Sequence, residues 1–216
     1  MQTNHNVFNL IILDESGSMQ SIKNPTITGF NEVVQTIRHA ETTFPEQLHT
    51  ISLFSFNGMG LKPLYFNQPV SSVTDLDESR YHPNASTPLY DAMGTCIHQL
   101  KTEVEKAGSY NVLVTIITDG EENASKEYNG KAIKALVEEL KPRNWTFTYI
   151  GANHDVEKFA ASLSISNSLS YEANFRGSTE MWQRDSRSRM AYYEKIKDKK
   201  NTQDNFFDEG PGKDNG

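Results

Sequence analysis

Three oxygen-bearing side chains stand on alternate positions near the start of the chain: Asp14, Ser16 and Ser18, within Asp14-Glu15-Ser16-Gly17-Ser18-Met19. One carboxylate and two hydroxyls are hard donors. They suit Mg²⁺ or Mn²⁺, which favour oxygen ligands and keep several waters. They suit Zn²⁺ poorly, because no Cys or His stands among them. Asp and Ser also build turns and helix caps, so this stretch alone leaves both readings open. A second carboxylate in a comparable setting is Asp119, in Thr118-Asp119-Gly120, and a third segment, Ser86-Thr87-Pro88-Leu89-Tyr90-Asp91-Ala92, offers hydroxyls just ahead of a helix.

The elements that must position these groups are legible from periodicity. Val7 to Leu13 is a continuous uncharged run that reads as a buried strand ending at Asp14. Phe30, Val33, Val34 and Ile37 fall at i, i+3, i+4, i+7 and predict a helix over 26–43. His49 to Phe56 reads as a strand, Asn57-Gly58 as a turn, and Leu61 to Val70 as its hairpin partner; Pro63 and Pro69 place that partner at a sheet edge. After a polar stretch, Pro88 suits the first turn of a helix. Leu89, Ala92, Met93, Cys96, Ile97, Leu100 and Val104 then keep helical spacing, with Gly108 as its end. Cys96, the single cysteine, lies in that stripe and reads as core. Val112 to Ile117 is a second buried run that meets a carboxylate. A helix marked by Ile133 to Leu140, a strand over 145–150, a short helix from Val156 to Leu163 and a short strand over 168–171 follow.

Alternating strands and helices imply parallel pairing and a sheet covered on both faces. Ligands of such sheets bind beyond the carboxyl ends of the strands, where strand order reverses. If the order is 3-2-1-4-5-6, the first and fourth strands are neighbours there, and Asp14 and Asp119 would face one crevice.

Together, D-E-S-G-S at 14–18, S-T-P-L-Y-D-A at 86–92 and T-D-G at 118–120 resemble the metal-ion-dependent adhesion site (MIDAS) of the von Willebrand factor type A (vWA) domain, over roughly residues 5–172. The resemblance implies a Rossmann-like α/β fold: a mostly parallel sheet of order 3-2-1-4-5-6, one antiparallel edge strand, and helices on both faces. It implies that Ser16 and Ser18 coordinate a divalent cation through their hydroxyls. Thr87 would reach the ion in the ligand-bound state, and Asp14 and Asp119 would act directly or through water. Mg²⁺ is the expected ion, with Mn²⁺ or Ca²⁺ as alternatives. Ser86 could replace Thr87 if its loop shifted. Glu15, Glu121, Glu122 and Asp91 are either solvated acids or tune the metal.

The implied function is a protein-interaction module that captures a partner's Asp or Glu carboxylate on the cation. Two alternatives stay open. One is a metal-dependent phosphoryl-transfer or phosphatase-like enzyme, with His154 as a candidate base; against it, the second carboxylate expected two residues after Asp14 is Ser16, and no nucleotide-binding glycine loop or nucleophile elbow is present. The other is an adaptor subunit beside an AAA-type ATPase, as for some similar bacterial domains.

The domain is expected over 1–175, with a helical extension over 176–197 in which Trp182, Met190, Tyr193 and Ile196 could pack, and a disordered polar tail over 198–216. Arg176, Arg184, Arg187 and Arg189 form a basic patch there, either a solvated helix face or a docking surface. Among 216 residues the net charge is −7, which argues against a nucleic-acid backbone as main partner. The first strand begins within a few residues of Met1, leaving no room for a secretory signal, and no apolar run approaches a membrane span. The expectation is a soluble cytoplasmic protein.

Overall fold

The computed structural model describes residues 4–208. Its centre is a six-stranded sheet in the order β3-β2-β1-β4-β5-β6. Strand β1 (His5–Asp14) pairs in parallel with β2 (Gln47–Asn57) and β4 (Tyr110–Thr118), β4 with β5 (Trp145–Gly151), and β5 with β6 (Asn167–Ser170). Strand β3 (Gly60–Pro69) returns antiparallel through the Asn57-Gly58 turn, and its two prolines sit on the edge. This is the mixed α/β sheet and strand order expected from the sequence. Leu13 lies opposite Ile117, so the ends of β1 and β4 are adjacent.

Helices α1 (Lys23–Thr43) and α5 (Phe175–Lys197) cover one face. Helices α2 (Leu89–Val104), α3 (Gly130–Leu140) and α4 (Val156–Ser162) cover the other. Helix α1 starts three residues ahead of the predicted span, because Pro25 sits in its first turn, where no amide hydrogen is needed. Pro88 lies immediately before α2 rather than within it, and α2 stops at Val104, short of Gly108. Cys96 is buried in α2.

The two faces differ in chemistry. Under α2, α3 and α4 the strands present Phe8, Leu10, Ile12, Val112, Val114 and Ile116, an apolar layer. Under α5 the same strands present Asn9, His49, Asn111 and Thr115 among their apolar residues. Helix α5 answers with polar groups. The Tyr193 hydroxyl donates to Asn9 Oδ1 (2.7 Å), and the fully buried Arg189 donates to Thr115 Oγ1 (2.7 Å) and to Asp185 Oδ2 (2.6 Å). Burial pushes His49 down to about 3, so it is neutral beneath the Tyr193 ring. Helices α1 and α5 approach closely at Gly29: a Cβ there would lie 2.1 Å from the Trp182 ring.

Two expectations about the C-terminal region change. Ser178, Met181, Trp182, Asp185, Ser188, Arg189, Tyr192 and Tyr193 are all buried at regular helical spacing, so α5 is part of the domain's own core. Half of this buried stripe is polar, so apolar spacing alone does not trace it. Arg189 accordingly leaves the proposed basic patch. The tail is also ordered further than expected: Thr202, Phe206 and Phe207 are buried, Phe206 against Tyr192. The Phe206 amide donates to Asn167 Oδ1, Asn167 Nδ2 donates to the Gln203 carbonyl, and the Thr146 hydroxyl donates to the Thr202 carbonyl, so this segment is tied to β5 and β6. The rest of the expected tail, 209–216, lies outside the described residues. Among the described residues no helix is long and apolar enough to cross a membrane.

Candidate metal centre

Strand β1 carries Asp14 to the carboxyl edge of the sheet, and β4 carries Thr118 to the adjacent position. Asp14 is fully buried. Its Oδ2 accepts from the Thr118 hydroxyl (2.6 Å) and its Oδ1 from the Ser16 amide (2.7 Å). After Ser16 the chain turns into a short 3-10 segment, Gly17–Ile22. That turn brings the Ser16 and Ser18 hydroxyls within 3.2 Å of each other. The Ser18 hydroxyl donates to Asp119 Oδ1 (2.5 Å), closing the gap between the loops after β1 and β4. Thr87 joins from the third segment: a Cβ on Gly120 would lie 3.8 Å from Ser18 Oγ and 3.9 Å from Thr87 Oγ1. Hydrogen bonds therefore link Asp14, Ser16, Ser18 and Asp119, and the Thr87 hydroxyl lies beside Gly120 at the edge of that cluster. Ser86 does not join them. Its hydroxyl faces the hairpin tip, 2.3 Å from where a Cβ on Gly58 would sit, so a side chain there would have to displace it.

The electrostatics of the cluster are unbalanced. Burial pushes the Asp14 carboxyl up to about 6, hydrogen bonds from Thr118 and Ser16 lower it only in part, and the neighbouring Asp119 carboxylate raises it further. Burial also raises Asp119. Among the described residues no three His, Cys, Asp or Glu side chains come together as a metal-binding group. A cation here would rest on two carboxylates and three hydroxyls, a set that fits a hard ion and leaves a buried negative charge for it to satisfy.

Several neighbours set this geometry that spacing alone did not single out. The Tyr81 hydroxyl donates to the Asp14 carbonyl (2.6 Å). The Thr87 amide donates to Asn123 Oδ1 (2.9 Å) and the Asn123 amide returns to the Thr87 carbonyl (3.2 Å). Ala85 holds φ 63 beside them, a left-handed backbone that costs a non-glycine residue about 1–3 kcal/mol. Thr118 was visible within T-D-G; Tyr81 and Asn123 had no local signal. The nearby acids have other work. Glu15 is buried, with its carboxylate accepting from the Ser55 hydroxyl and the His82 amide. Glu122 accepts from the amides of Tyr90, Ala124 and Ser125. Asp91 accepts from those of Lys126, Glu127 and Tyr128. These two acids tie the 121–128 loop to the start of α2. His154 is engaged in its own loop, Nδ1 with the Ala152 carbonyl (2.6 Å) and Nε2 with the Tyr149 hydroxyl (3.1 Å).

No family model matches the sequence, and no curated protein matches it significantly. Solved structures do match in fold. The manganese-loaded TRAP protein of Plasmodium vivax aligns over 83% of this chain and 72% of its own, at 14% identity and a TM-score of 0.51. The SpRpn10 VWA domain aligns over 81% of this chain and 92% of its own, at 12% identity and a TM-score of 0.51. The pilus adhesin SpaC of Lactobacillus rhamnosus GG, in an open conformation, aligns over 88% of this chain but 30% of its own, at 11% identity and a TM-score of 0.58. With its strand order and these likenesses, the chain has the fold of a von Willebrand factor type A domain.

Proposed function

We propose that this protein is a metal-dependent protein-interaction module. Ser16, Ser18 and Thr87 supply hydroxyls, and Asp14 and Asp119 supply carboxylates, to a divalent cation, Mg²⁺ or in its place Mn²⁺ or Ca²⁺. The observation that carries this reading is the convergence of those five side chains from three separated loops around a buried Asp14 whose charge is left uncompensated. When bound, the cation supplies Lewis acidity with a site open to a partner's Asp or Glu carboxylate. The protein's residues hold the geometry: Thr118 and the Ser16 amide orient Asp14, Ser18 links the two aspartate loops, and Asn123 fixes Thr87. That one fold relative is manganese-loaded supports a divalent ion in this fold.

The test is calorimetric titration of the full chain with MnCl₂ and MgCl₂. Wild type binds one ion, and Asp14→Ala and Asp119→Ala bind none while keeping their far-ultraviolet circular dichroism. A wild-type protein that binds neither ion overturns the reading. The phosphoryl-transfer alternative gains no support, since Ser16 stands where a second carboxylate is wanted and both His154 ring nitrogens are engaged.

A further inference from the structure

An open groove of about 590 Å³ runs beside the cluster on the β3 side, walled by Gln20, Lys23, Met59, Lys62, His82 and Asn84. It is continuous with the loops that present the donor set. Glu15, on its floor, follows Asp14 directly, the Asn84 amide donates to the Glu15 carbonyl (2.8 Å), and the Gly17 amide donates to the Ala85 carbonyl (3.0 Å). Met59 stands at the hairpin tip with 78% of its surface exposed, the most exposed large apolar side chain among the described residues. A single exposed apolar residue is ordinary. One that walls a groove next to a candidate binding centre, and is as adaptable as methionine, is suited to receive an apolar side chain.

The charge of the groove is lopsided. Glu15 is 4% exposed, and its carboxylate is spent inward on the Ser55 hydroxyl and the His82 amide. Lys62 Nζ lies 3.9 Å from it with nearly half of its side chain exposed. Lys62 and Lys23 each anchor their ammonium on a neutral backbone carbonyl, of Arg80 and of Glu78. An ammonium has three donors, so both keep hydrogens to offer. An occupant of the groove meets two cations on a chain whose net charge is −7.

We propose that this groove is the second half of the binding surface and takes an extended segment of a partner protein. In that segment the Asp or Glu directed at the metal is followed within a few residues by a second acidic side chain, held by Lys23 and Lys62, and by an apolar side chain packed on Met59. The proposal rests on the metal-centred reading above and assigns its specificity to residues outside the donor set. Exposed charge pairs of this kind choose among partners more than they add affinity.

The test is selection of a random displayed peptide library on the full chain in MgCl₂, run in parallel on wild type, Asp14→Ala, Met59→Ser and the double variant Lys23→Glu/Lys62→Gln. Lys23 begins α1, where an acid is favoured by the helix dipole, so that variant keeps the fold; thermal melting checks each protein. Wild type enriches peptides with two acids and an apolar residue. Lys23→Glu/Lys62→Gln keeps one acid and loses enrichment of the second several-fold, Met59→Ser loses the apolar preference, and Asp14→Ala enriches none of them. A wild-type pool without a second acid, a pool unchanged by the lysine variant, or no enrichment on wild type overturns the groove, while the manganese titration decides the metal reading separately. A pool unchanged by Asp14→Ala overturns both.

Discussion

Asp14 and Asp185 are equally inaccessible, each with no exposed surface, yet the protein treats their charges in opposite ways. Asp185 sits one helical turn from Arg189, whose Nε donates to it at 2.6 Å while Nη2 reaches Thr115 on β4. Burial pushes the Asp185 carboxyl up and the adjacent guanidinium opposes it. Asp14 has hydroxyl and amide donors, and a second carboxylate near by. A buried charge demands either a partner or a proton. At Asp185 the partner is part of the same helix, and the pair keys α5 onto the polar face of the sheet. At Asp14 the groups that set its charge are hydroxyl and amide donors and a second carboxylate, with no cation among them. One aspartate therefore belongs to the architecture and the other to the proposed site.

The difference can be broken first from the architectural side. Asp185→Ala or Arg189→Ala leaves an uncompensated buried partner and lowers unfolding free energy by about 3–5 kcal/mol in urea titrations, with or without Mg²⁺. Replacing both with Leu and Met returns most of it, because the desolvation of two charges disappears with the pair. A loss below about 1 kcal/mol in the single variants would show that the pair is hydrated and that the contrast with Asp14 fails.

The next largest effect is the pH dependence of the metal-free protein. The folded Asp14 carboxyl titrates near 6 against 3.8 for the ordinary group. Between those values the folded state holds a proton that the unfolded state has released. Stability in EDTA therefore falls as pH rises from about 4 through 6, by about 3 kcal/mol, and levels off above. Burial raises Asp119 in the same direction. Asp14→Asn, which keeps an acceptor for the Ser16 amide, removes most of this fall; denaturant midpoints across that pH range measure it.

Cation binding sharpens the contrast from the other side. At one hundred times its dissociation constant, Mg²⁺ stabilises wild type by about 2.7 kcal/mol. The same increment appears in Arg189→Ala and is absent from Asp14→Ala, as read by thermal shift. The smallest effect tests the seat of α5 itself. Gly29→Ala forces a methyl against the Trp182 ring and costs about 1–3 kcal/mol by overpacking, with Mn²⁺ affinity unchanged in calorimetry.

Much of this was written locally in the chain. The apolar run before Asp14, the stripe of α2 and the prolines of β3 each act within one element, where hydrophobic spacing and backbone sterics decide the outcome. The adjacency of Asp14 and Asp119 needed only the strand order. The roles of Glu15, Glu122 and Asp91 were not legible, because a carboxylate clipping backbone amides looks in sequence like any solvated acid.

The C-terminal region shows the boundary most clearly. By itself the sequence determined which stretches are strands and helices, and which oxygen donors stand at strand ends, since those follow from neighbours a few residues apart. Only the tertiary structure decided that Asp185 and Arg189 face inward, that the Tyr193 hydroxyl meets a buried Asn9, and that Phe206 and Phe207 are buried. Their burial depends on partners such as Thr115 and Asn9, 74 and 184 residues away, and a polar side chain goes inside only when a distant group is there to meet it.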